Sequence, residues 1–259
     1  MRTNRPPFLI AALLIALGGY LLLRNFRLMP AIDLSVLAPL LLALLGLQLL
    51  MRGDLGLSWA SQPFGITRGT VRGAQLEVWS GEIDVILRPL RREGRLIGGA
   101  YTARSRPSLE VRGDVARLSM QRGKTWLISQ AAWEVGLSRD LPWNLLMSSF
   151  LGETDLDLRG ISIHRAELGT GFGDMRIVLP EECIQGVRAY STFGNVTLVV
   201  PDNVEAMIRL VEKPFSRALI DEKRFIRLDE GVYATLNYLD ATQLVYAEVA
   251  TTFGTVRLI

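Results

Sequence analysis

The 259-residue chain has one cysteine, Cys183, and one histidine, His164. A lone cysteine excludes an intrachain disulfide and a cysteine metal cluster. A lone histidine excludes any two-histidine metal site and leaves Cys183 without the base and orienting group that nucleophilic catalysis needs. Also absent are a Walker loop, a Rossmann glycine fingerprint and a G-x-S-x-G nucleophile elbow. Residues 1–57 contain five arginines and two aspartates, which leaves 24 basic and 24 acidic residues in the remainder. A neutral remainder with no run of one sign argues against a polyanion-binding surface, and so against a nucleic-acid partner. Helical periodicity is scarce beyond residue 73.

Long apolar runs are present, and they are local. Residues 8–23 and 34–51 carry no charge. At about 1.5 Å per residue as helix they would reach roughly 24 and 27 Å, near the ~30 Å of a bilayer's hydrocarbon core. The expectation is therefore two transmembrane helices, at about 8–24 and 34–51, joined by a short turn. A cleaved signal peptide competes for the first run, because Arg2 and Arg5 precede it, but a second apolar run follows ten residues later. Location at the cell membrane with two spans follows, the lipid bilayer being the first partner. The arginines flanking the runs lean toward a cytoplasmic location for everything after residue 52. Residues 53–73, rich in Gly, Ser, Arg and Pro, read as a juxtamembrane linker.

From residue 74 onward, alternation of apolar and polar residues dominates, which predicts strands. One segment recurs. Trp79-Ser-Gly81-Glu-Ile-Asp-Val is followed by Phe150-Leu-Gly152-Glu-Thr-Asp-Leu, Gly171-Phe-Gly173-Asp-Met-Arg-Ile, Thr192-Phe-Gly194-Asn-Val-Thr-Leu and Thr252-Phe-Gly254-Thr-Val-Arg-Leu. The glycines at 152, 173 and 194 are 21 residues apart, and the 60 residues from Gly194 to Gly254 correspond to about three such units. A fixed period near 20 predicts a solenoid, in which each rung buries its apolar face on the next. Gly81, Gly152, Gly173, Gly194 and Gly254 are the expected rung corners. Phe172, Phe193 and Phe253 are expected to stack between rungs and seal the core. A β-sandwich with similar turns is the competing architecture. Short helices are expected at 142–149 and 204–212.

The repeats, together with this N-terminus, resemble the LiaF family of bacterial cell-envelope stress proteins and the related toast-rack domains. The residues carrying the likeness are Trp133-Glu-Val-Gly-Leu-Ser-Arg-Asp-Leu-Pro142, Leu156-Asp-Leu-Arg-Gly160 and the glycine-strand-proline rungs at 169–180 and 190–201. The resemblance implies an all-β, single-stranded right-handed β-solenoid over 74–259. It also implies a non-enzymatic role in envelope stress, in some members by restraining a membrane histidine kinase, which makes such a kinase a candidate partner.

Remaining candidates for chemistry are few. Gly169-Thr-Gly-Phe-Gly173-Asp174 looks like a phosphate or calcium loop, but its counterparts lose the glycines and carboxylates that ligation needs. Asp155 and Asp157 share a strand face, where a solvated pair is commoner than a catalytic one. Trp126, Trp133 and Trp143 are candidate partner-docking residues. No catalytic residue, metal or cofactor is expected. The leading reading is a membrane-anchored regulator or sensor acting through protein contacts. Its first rival is a scaffold of solenoids stacked end to end, suggested by the strand residues Val256-Arg-Leu-Ile259 and leaving self-association open. Its second rival is a ligand-binding domain or enzyme with a polar pocket.

Overall fold

The computed structural model describes residues 61–102, 105–122, 132–211 and 213–259. They lie within one compact unit, 56–259. Alternation is the rule within it. Strand β1 is Ser61–Thr67, β2 Gly73–Gly81, β3 Val85–Pro89, β4 Arg95–Thr102, β5 Ser108–Arg112 and β6 Val115–Gln121. Next come β7 Trp133–Leu137, β8 Trp143–Ser149, β9 Thr154–Asp157, β10 Ile163–Phe172, β11 Met175–Val178 and β12 Val187–Phe193. The last six are β13 Val196–Val199, β14 Glu205–Leu210, β15 Phe215–Ile220, β16 Phe225–Asp229, β17 Val232–Thr235 and β18 Leu244–Leu258.

Parallel pairing builds two ladders. The first runs β6, β2, β8, β10, β12, the first half of β18, then β14. The second runs β7, β3, β9, β11, β13, the second half of β18, then β15. Each rung contributes one strand to each ladder and turns between them. Inward positions are apolar on both sides: Leu76, Val78, Leu145, Leu168 and Ala189 from the first ladder, and Leu87, Leu156, Ile177, Leu198 and Leu258 from the second, are all buried. This period-2 burial is what the alternating sequence encodes, because successive side chains on a strand point to opposite faces.

The expected fold needs correction in three respects. First, the rungs do not stack in chain order, as they would in a simple single-stranded solenoid. The β6–β7 rung lies outside β2–β3, and the chain then returns to place β8–β9 on the other side. At the far end β14–β15 forms before β18, which inserts between it and β12–β13. Second, antiparallel hairpins flank the stack: β5 on β6, β17 on β14 with β16 beyond it, and β4 on β7 with β1 beyond it. Strand β1 falls inside the stretch read as a linker, and Phe64 and Ile66 on it pack against the core. Third, the two-helix membrane hairpin has no counterpart. Residues 8–24 and 34–51 lie outside the described residues, and among the described residues no helix is long and apolar enough to cross a membrane. The length of an apolar run measures the cost of keeping it in water and does not by itself make it a membrane helix. The membrane location and its cytoplasmic lean, read from those runs alone, are therefore unsupported.

The helices expected at 142–149 and 204–212 are strands as well. In β8, Trp143, Leu145, Met147 and Ser149 are buried at every second position, and in β14 so are Ala206, Ile208 and Leu210. Short apolar runs of this length do not distinguish helix from strand until neighbours pair with them.

Candidate interaction surface

The rung corners are built on close backbone contact. A Cβ on Gly152 would lie closer than 3.0 Å to the carbonyl of Ile83, one on Gly173 to that of Gly152, one on Gly194 to that of Gly173, and one on Gly254 to that of Gly194. The column is thus Ile83, Gly152, Gly173, Gly194, Gly254. Gly173 and Gly194 also sit at φ of 144° and 151°, which side chains disfavour. Gly81 stands outside this column. A register shift between Trp79 and Gly81 places it opposite Ser149, where its carbonyl accepts from the amides of Phe150 and Leu151 at 2.6 and 2.9 Å.

The residue after each corner forms a second column. Asp84 Oδ1 accepts from the Glu153 amide at 2.7 Å, Asp174 Oδ1 from the Asn195 amide at 2.8 Å, and Asn195 Oδ1 from the Thr255 amide at 3.0 Å. The Asp174 carboxylate, the one acid in the calcium-like loop, is thereby engaged in bridging rungs. Among the described residues no group of three or more His, Cys, Asp or Glu is placed to hold a metal ion.

The residue before each corner makes an aromatic ridge. Phe172 and Phe193 stack with centroids 4.7 Å apart, Phe193 and Phe253 at 4.6 Å, and Phe253 and Phe215 at 5.0 Å; Phe150 meets Phe172 edge-on at 5.7 Å. The spacing is that of neighbouring strands, which holds each ring over the next. The rings lie outside the core, between 38 and 67% exposed, where they form a surface feature and do not seal the interior. Stacked pairs add about 0.5–1.5 kcal/mol beyond their area burial, which favours the aligned arrangement of the rings. Phe150 and Phe215 extend it. The repeat pattern contained Phe150, one residue off the register of the others, whereas Phe215 lies outside any repeat.

The tryptophans are interior. Trp133 and Trp143 are fully buried, their indole Nε1 groups donating to Thr102 Oγ1 at 3.3 Å and to the Ser138 carbonyl at 3.0 Å. Neither is available to dock a partner, and Trp126 lies outside the described residues. Both occupy inward positions of their strands, which the clustering of aromatics in sequence does not reveal.

Asp155 and Asp157 are engaged by arginines. Asp155 bridges Arg88 and Arg176, the latter at 3.1 Å, and Asp157 binds Arg159 at 2.6 Å. Burial works against the Asp155 charge, but the hydrogen bonds from Arg88 and Arg176 outweigh it and hold its carboxyl below the usual aspartate range. Hydrogen bonding from Arg159 does the same for Asp157. A carboxylate held ionised and paired is a poor general acid or base near neutral pH. Burial pushes the Cys183 thiol up to about 11, so it carries almost no thiolate at neutral pH. His164 is half-exposed on β10.

These features define a class: an all-β stack of parallel rungs that presents a ridge of exposed aromatic rings. Residues 98–197 match the family model described as the N-terminal domain of toast_rack, DUF2154. Over those residues the chain is similar to the toast-rack family, to which the LiaF-like proteins belong. Among solved structures, one provisionally assigned as a cell adhesion protein, from Clostridium sporogenes ATCC 15579, is similar at a TM-score of 0.66 and 15% identity, over 77% of this chain and 98% of that one. At that identity the likeness shows the fold alone. A provisionally assigned adhesin from Bacteroides fragilis NCTC 9343 shares 10% identity over 78% of this chain and 99% of that one, at a TM-score of 0.32 that carries no argument. No curated protein sequence matches the chain.

Proposed function

We propose that this protein is a non-enzymatic regulator or sensor in the cell-envelope stress response, acting through protein–protein contacts of its stacked β domain. The observation that carries the reading is the exposed ridge of Phe150, Phe172, Phe193, Phe253 and Phe215. Aromatic side chains exposed in a contiguous row are typical of protein contact sites. Here the rungs beneath hold them in place, so a partner would bind without first ordering them. The envelope-stress role is drawn from the likeness of residues 98–197 to the toast-rack family, and a histidine kinase is the partner that this likeness suggests.

The test is a reporter of envelope stress in cells lacking the chromosomal copy, complemented with the full chain or with the F172T/F193T variant. Threonine suits strand positions and removes the rings. The expected result is restored regulation by the wild type and lost regulation by a variant that keeps its thermal transition. A folded variant that regulates normally would remove the ridge from the mechanism. A reporter indifferent to loss of the chain would remove the stress role.

An end-to-end scaffold would not assemble through the last strand of the chain. Val256–Leu258 pair with β13 on one side and β15 on the other, so the last strand is interior and that ladder ends on β15.

A further inference from the structure

A second surface, separate from the aromatic ridge, lies at the other end of the stack. Gly65, Gly98 and Gly136 are in register across β1, β4 and β7, and Gly136 is opposite Arg88 of β3. Three side-chain-free positions in a row leave a trough across four strands. Leu90 lies over its floor, 2.7 Å from where a Cβ on Gly136 would be, and Arg95 covers Gly65, its Nη1 2.5 Å from where a Cβ there would be. The cleft over this floor has a volume of about 610 Å³ and is lined by apolar Phe64, Ile86, Pro89 and Leu90 as well as by arginines.

The charge is lopsided. Arg88, Arg91, Arg92 and Arg95 line the cleft against a single acidic lining residue, Glu134. Of the four, Arg88 is paired, with Asp155. Among the described residues Arg91, Arg92 and Arg95 make no ion pair, whereas elsewhere Arg117 pairs with Glu77, Arg188 with Glu167 and Arg159 with Asp157. Arg91 and Arg92 also wall an adjoining cleft of about 340 Å³, whose lining adds Arg139 together with the acids Glu93 and Asp140. Residues 58–259 balance 24 basic against 24 acidic residues, so the accumulation is local and the sequence count concealed it.

We propose that this cleft binds an acidic, extended segment of a protein partner, with carboxylates on Arg91, Arg92 and Arg95 and an apolar side chain on the surface formed by Phe64, Ile86 and Leu90. Length favours a segment over a lone anion. Four strands at about 4.8 Å spacing span roughly 14 Å, the reach of about four residues of extended chain. The mixed lining points the same way, since a single phosphate or carboxylate has no use for an apolar floor. Guanidinium groups are matched to carboxylates by their planar, forked donors.

The test uses the full chain and a fluorescein-labelled peptide, EELEELEE, followed by anisotropy. Charge-assisted contacts to two arginines predict binding weakened at least about tenfold in R91E/R92E, strongly salt-dependent in the wild type, and largely kept in R91K/R92K. Both positions are exposed loop residues, so the variants are expected to fold, and R95Q, read alone, is expected to weaken binding independently. Equal binding of the uncharged peptide QQLQQLQQ, or no loss in R91E/R92E and R95Q, overturns the proposal. So does displacement of the acidic peptide by inorganic phosphate at matched ionic strength and similar concentration, which would mark a simple anion site. Arginine-dependent binding to phosphatidylglycerol vesicles with no binding of the peptide would assign the cleft to a lipid surface instead.

Discussion

The backbone amide of Thr255 donates to the side-chain oxygen of Asn195 at 3.0 Å, across 60 residues of sequence. One position earlier, Gly254 rests on the carbonyl of Gly194 in the same way that Gly194 rests on Gly173. The interval does not hold further rungs between these two glycines. It is an excursion, β14 to β17, that lays down the β14–β15 rung one place further out and lets the chain return between that rung and β12–β13.

The corner glycines are predicted to differ from turn glycines in what they tolerate. Gly194→Ala places a Cβ against the Gly173 backbone at φ 151°, and strain of this kind with a fixed neighbour costs about 2–4 kcal/mol. Gly69, at φ 59° with nothing within 4 Å of where a Cβ would be, is expected to lose about 1 kcal/mol on the same substitution. Urea unfolding of the two variants measures the gap, and equal losses would refute the stacked-corner account.

Acid is predicted to weaken the domain through its arginine-bound aspartates. Asp155 and Asp157 have folded pKa values below the ordinary 3.8, so the unfolded chain binds their protons first as pH falls. The stabilisation is fully present above about pH 5 and is lost as pH drops through 3.8 toward the folded values. The Asp155 pair is about a third or more exposed, so solvent screening keeps its share to about 1 kcal/mol or less. Unfolding followed from pH 6 to 2.5 should show a shallower decline in D155N/D157N than in the wild type. Parallel curves would mean that other groups control acid stability.

Ending the chain after Thr251 is predicted to disrupt the far half of the stack. The deletion removes the second half of β18, on which β13 and β15 both pair, and the Ile259 amide that donates to the Leu198 carbonyl at 3.1 Å. Limited proteolysis should then cut between residues 202 and 243, while the full chain resists. Wild-type resistance of the truncated chain would show that β18 is a dispensable terminal rung.

Trp133 and Trp143 illustrate where sequence reading reached its limit. Their neighbours Val135, Leu137, Leu145 and Met147 set an alternation that makes these strands visible. Whether an alternating face is core or docking surface depends on what packs over it, and Thr102 and Ser138, the hydrogen-bond partners of the two indoles, come from other strands and loops. The arginine cleft was hidden for a related reason. Its residues come from four separate stretches, near 64, 90, 98 and 136, and only pairing of β1, β4, β7 and β3 gathers them.

The form of a single rung was legible in the amino-acid order alone. A glycine, a phenylalanine before it and alternating apolar residues after it recur because every rung turns the same tight corner and buries the same face, and that requirement is local. Long-range packing settled the order of the rungs, the interior position of β18 and the exposure of the phenylalanine ridge. Parallel strands carry nearly equivalent edges, so which rung lies beside which is set by the hairpins that cap the stack and the cores they close, and those contacts join residues far apart in the chain.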